Sequence, residues 1–107
     1  MKPNIIYLLS LFLATFSFAD SKYQGKYLCN KSQVLEITQR SLYIGNATFE
    51  YYQSMKRPVG IIDVFLKGNE MASMTPQPNW SGHYSLNIRN LKNKNEKPYI
   101  ADCTKVK

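Results

Sequence analysis

Alternation of apolar and polar side chains at every second position runs through the chain from residue 27 onward, the period of a half-buried β-strand. It is clearest at 83–88, where Tyr84, Leu86 and Ile88 share one face against His83, Ser85 and Asn87. The same rule sets Leu35 and Ile37 against Val34, Glu36 and Thr38, and Ala47, Phe49 and Tyr51 against Thr48, Glu50 and Tyr52. It sets Tyr99, Ala101 and Cys103 on one face of 99–103. Short strands are therefore predicted near 27–29 and at 33–38, 41–44, 47–52, 60–66, 70–74, 83–88 and 99–103. Gly45-Asn46 and Gly68-Asn69 mark tight hairpin turns, and Pro58 interrupts pairing because it has no main-chain N–H to donate. No segment shows a helical period. The expected fold is all-β, an antiparallel barrel or sandwich of about seven or eight short strands, with residues 104–107 fraying.

Residues 5–18 depart from this pattern as an uncharged, mainly apolar run, preceded by Lys2 and closed by Ser17-Phe18-Ala19. A positive start, an apolar middle and small side chains at the minus-3 and minus-1 positions are the marks of a cleavable secretory signal peptide. The run is short for a membrane crossing, which takes about 20 residues. The division expected is a signal at 1–19 and a single β domain at 20–107, with a secreted or periplasmic location and no stable membrane insertion after cleavage.

Export changes the reading of Cys29 and Cys103. In an oxidising compartment they are expected to form one disulfide tying the first strand to the last, a clasp that small domains exploit. They lack the two-residue spacing of a redox motif, and two thiols with one histidine make a poor zinc site. No cofactor or metal is implied.

The chain carries fourteen Lys and Arg against seven Asp and Glu, a net charge of +7. That balance favours an acidic surface or an unidentified protein as partner, although positives scattered for solubility give the same composition. The lysines thicken only at Lys92, Lys94 and Lys97. No basic-aromatic signature points to a specific nucleic acid.

Catalytic chemistry has little to work with. His83 is the single histidine, and Asp63 or Glu70 could pair with it, with Ser81 or Ser85 as a nucleophile. No nucleophile elbow, zinc or phosphate-loop motif accompanies them, so a non-catalytic protein is expected, with His83 facing outward from a strand. Asp63 lies in the most apolar segment of the expected β domain, 60–66, and needs solvent or a partner, at a rim or against Lys or Arg. The loop 75–82 is the candidate recognition element: Pro76 and Pro78 stiffen it, and Trp80 can anchor a protein, stack on a sugar or cap the fold. Asn30, Asn46 and Asn79 match the glycosylation sequon, which matters only in a eukaryotic secretory pathway.

Early Cys29, late Cys103, the run 66–74 (Leu-Lys-Gly-Asn-Glu-Met-Ala-Ser-Met) and Ser81-Gly82-His83-Tyr84 together resemble the MliC/PliC inhibitors of C-type lysozyme. In that family the serine-bearing patch precedes the lysine-bearing one; here it follows. The resemblance implies a small periplasmic β-barrel, with Ser81 inserted toward the lysozyme cleft and Lys67 as a nearby basic contact.

Overall fold

The structure, a computed structural model, describes residues 20–106. The expected signal segment, 1–19, lies outside the described residues. Eight strands follow one another in chain order: β1 (Gly25–Cys29), β2 (Gln33–Ile37), β3 (Ser41–Ile44), β4 (Ala47–Arg57), β5 (Gly60–Lys67), β6 (Glu70–Pro76), β7 (His83–Asn90) and β8 (Tyr99–Lys105). Each pairs antiparallel with the next, and β8 returns to β1, giving a closed up-and-down barrel. Of the two architectures expected from the sequence, the barrel is the one formed.

Period-two alternation places the core as the sequence predicts. Tyr27, Leu35, Ile37, Leu42, Phe49, Phe65, Met74 and Leu86 are buried together inside the barrel. Gly45 and Gly68, both at φ 57°, begin the two-residue loops of the β3–β4 and β5–β6 hairpins. Glycine takes that left-handed conformation without steric cost, and the resulting turn matches strand twist.

Cys29 and Cys103 form the disulfide and face each other directly in the β1–β8 ladder, with Cα atoms 4.0 Å apart. The bridge thus joins the strands that close the barrel, and it suits an oxidising compartment.

Several strand boundaries differ from expectation, most of them by one or two residues, and two differences have a plain structural cause. β4 does not end at Tyr52 but continues to Arg57 against β5, because a register shift between Tyr51 and Gln53 absorbs one extra residue as a bulge. Residues 104 and 105 do not fray: Thr104 pairs with Leu28 and Lys105 with Tyr27, and the Val106 N–H donates to the Lys26 carbonyl at 2.8 Å. Closure gave this tail an edge to pair with, which alternation within the tail could not reveal.

Residues 20–24 form a strap across one end of the barrel. Ser21 is buried, its N–H donates to the Gln39 carbonyl at 3.0 Å and its hydroxyl donates to the Thr38 carbonyl. The strap is pinned from inside by Asp63, which is fully buried. One carboxylate oxygen accepts the Lys22 N–H at 2.6 Å and the Tyr23 N–H at 3.2 Å; the other accepts the Ser54 hydroxyl at 2.7 Å. Asp63 is therefore neither at a rim nor bonded to a Lys or Arg side chain among the described residues. Main-chain donors from a segment forty residues away replace the expected partner.

The strap also packs through tyrosines. The Tyr23 hydroxyl donates to the Ile61 carbonyl, the Tyr27 hydroxyl donates to the Tyr23 carbonyl at 2.8 Å, and both rings lie against Tyr84, at centroid distances of 5.3 and 5.4 Å. Burial, then the Asp63 carboxylate, raises the Tyr23 phenol above its ordinary value; burial, then Tyr84, does the same to Tyr27. The folded state holds these protons more tightly than the unfolded chain, whose phenols ionise near pH 10. Their contribution to stability is thus complete below about pH 10 and falls as pH rises beyond it. An alkaline titration should show a phenolate absorbance step coinciding with loss of the β-sheet circular dichroism signal. Ionisation of every tyrosine within a still-folded barrel would contradict this account.

Candidate functional site

The connection between β6 and β7, residues 77–82, is tied into a fixed shape. The Gln77 N–H donates to the His83 carbonyl at 3.0 Å, the Trp80 N–H to the Gln77 carbonyl at 3.2 Å and the His83 N–H to the Trp80 carbonyl at 3.1 Å. These turns lay the Trp80 indole flat on the His83 imidazole, with ring centroids 3.4 Å apart and planes within 15°. Trp80 nevertheless remains 53% exposed, so it does not cap the core. Ser81 beside it is exposed.

The imidazole is in turn oriented by Asp102 on β8, whose two carboxylate oxygens each lie 3.1 Å from His83 Nδ1. Gln77 Nε2 donates to Asp102 Oδ1 at 2.7 Å, closing the loop onto the same carboxylate. The β1–β2 turn braces Asp102 from the far side: its N–H donates to Asn30 Oδ1 at 3.1 Å, and the Asn30 N–H donates to its carbonyl at 2.8 Å. Four segments thus converge to hold one aromatic surface.

His83 meets neither of the carboxylates that could have paired with it, Asp63 or Glu70. Asp63 holds the N-terminal strap, and Glu70 begins β6 opposite Lys67 and Asn90. Asp102 takes their place, because the β7–β8 register sets His83 against Thr104 and Ser85 against Asp102, leaving His83 and Asp102 as diagonal neighbours. Neither Ser81 nor Ser85 hydrogen-bonds to His83 among the described residues, so the serines weighed as nucleophiles are not brought to the imidazole. No group of three or more His, Cys, Asp or Glu that could hold a metal occurs among the described residues.

No family model, curated protein or solved structure matches the chain. The site must be read from its own chemistry. Lys67 ends β5 beside the β5–β6 turn, whereas Ser81 lies in the loop beyond the other end of β6. A seven-residue strand separates them by about 20 Å. The two positions named by the lysozyme-inhibitor resemblance do not form one contact surface with Trp80.

The three sequons all fall on exposed turn or loop positions. Asn30 is already engaged in bracing Asp102, while Asn46 lies in the β3–β4 turn and Asn79 immediately precedes Trp80. The contributions of Gln77, Asp102 and Asn30 to the platform were not apparent from the sequence. The only sequence-level signal for Asp102 was that it shares the outward face of a strand two positions from Ile100 and Thr104.

Proposed function

We propose that the protein is an exported, non-catalytic binding protein that recognises a partner protein through the Trp80 loop. The observation that carries this reading is the half-exposed indole stacked on a braced imidazole. A rigid aromatic surface contributes contact area without losing side-chain freedom on binding, which is why tryptophan is enriched among the residues that dominate interface energetics. Export follows from the signal pattern at 1–19 and agrees with the disulfide.

Affinity capture from the native exported compartment, with wild type and Trp80→Ala side by side, tests the reading. The expected result is a partner held by wild type and weakened by about 2 kcal/mol, some thirtyfold, in the variant. Identical recovery by both proteins would remove Trp80 from recognition.

A second reading, inhibition of C-type lysozyme, is favoured by the exposure of Ser81 beside Trp80. It rests on the loop alone, since Lys67 stands at the opposite end of β6. Oxidised protein in micromolar excess should then slow lysozyme turnover, with Ser81→Ala relieving the effect; unchanged turnover with wild type excludes it.

A further inference from the structure

Although the barrel is closed, the end of β4 leaves a strand edge open. β3 covers β4 only through the pairs from Ser41–Glu50 to Ile44–Ala47, followed by one bond from the Tyr51 N–H to the Arg40 carbonyl at 2.8 Å. Beyond the bulge, residues 53–57 pair with β5 on one side and with no strand on the other among the described residues. Their outward main-chain N–H and C=O groups have the spacing of a ladder awaiting a partner. A crevice of about 380 Å³ runs beside this edge, lined by Lys22, Tyr52, Gln53, Met55, Lys56 and Ile61.

We propose that the open edge of β4 at residues 52–57 receives an extended acidic segment of another protein as an added strand. Main-chain bonds would supply the alignment and the crevice would take an apolar side chain, the division of labour in strand addition. Charge selects the occupant. Lys56 and Arg57 are exposed at the end of the edge and Lys22 borders the crevice, so carboxylates on an incoming strand are matched. The same residues disfavour a second copy of this chain, whose edge would bring its own Lys56 and Arg57 and a net charge of +7. Edge strands are commonly guarded by charge and bulges; here the guard lies at the tip and the bulge, while Gln53 to Met55 stay uncharged and Tyr52 is 59% exposed. The edge therefore rejects basic strands and admits acidic ones. No residue of the Trp80 loop lines the crevice.

Nuclear magnetic resonance of the oxidised, ¹⁵N-labelled exported protein tests the proposal with two end-capped octapeptides. One alternates Glu with Val and Tyr, and the other carries Lys at each Glu position. The Glu peptide should give saturable shifts and slowed amide exchange at 52–57, and the Lys peptide neither. Charge reversal by Lys56→Glu with Arg57→Glu, both at exposed positions, should weaken the Glu peptide about tenfold and create binding of the Lys peptide. Trp80→Ala should leave the Glu peptide's affinity unchanged. Shifts confined to the loop carrying Lys92, Lys94 and Lys97, an absence of exchange protection at 52–57, or unaltered affinities in the charge-reversed protein would each overturn it.

Discussion

Replacing Cys29 and Cys103 together by alanine is expected to destabilise the barrel by about 3–4 kcal/mol and to lower its melting temperature by roughly 15–25 °C. The bridge spans a sequence separation of 74, so the unfolded chain loses a large fraction of its conformational freedom when it is cross-linked. Its position adds a second reason. The β1–β8 ladder has only three aligned pairs, against five between β1 and β2, and the cystine is one of the three. Weakening this seam opens the barrel into a sheet and exposes the full lengths of β1 and β8 as edges. Thermal and urea unfolding of the oxidised wild type and the double variant measure the effect. Hydrogen exchange should show the greatest loss of protection at residues 27–29 and 103–105. A cost below about 1 kcal/mol, or protection lost elsewhere first, would show that strand pairing closes the seam unaided.

The clasp was legible in the sequence because two cysteines leave only one pairing within the chain. Alternation likewise located all eight strands and most of the core, since Leu35, Phe49 and Leu86 can be buried only if their neighbours face out. Long-range register was not legible. Asp102 meets His83 because β7 and β8 pair with a particular offset, and no local pattern within 83–88 or 99–103 specifies that offset. Residues 53–57 show the same limit, because a bulge carries β4 past the point where simple alternation ends. The strap was missed for a different reason. Its contacts with Asp63 are made by main-chain N–H groups, which every residue except proline possesses and which therefore leave no mark in composition. An acidic residue set among Ile61, Ile62, Val64 and Phe65 was the visible half of that interaction.

Asp63→Ala should cause the other large loss, about 3–5 kcal/mol, a substantial part of the 5–15 kcal/mol typical of a folded domain. The substitution strands three donors at once, the Lys22 and Tyr23 N–H groups and the Ser54 hydroxyl, which together satisfy a carboxylate with no measurable exposure. The Ser54 hydroxyl also receives the Tyr51 hydroxyl at 2.6 Å, so the loss extends from the strap into the wall of the barrel. With its anchor gone, the strap should lift away from Tyr84, making residues 20–24 an early site of proteolysis. Asp63→Asn retains the side-chain shape and one acceptor oxygen but not the second, and its cost should fall between those of wild type and alanine; it provides a folded comparison if the alanine variant fails to accumulate. Removing the anchored strand of contacts from the other side, by Tyr23→Ala, gives the decisive arm. If Asp63 acts by pinning the strap, Tyr23→Ala and Asp63→Asn combined should cost less than the sum of their separate effects, because each already loosens the same segment. Additive costs in urea unfolding, or a wild-type midpoint for Asp63→Asn with no change in proteolysis at 20–24, would mean that the buried carboxylate and the strap stabilise the barrel independently.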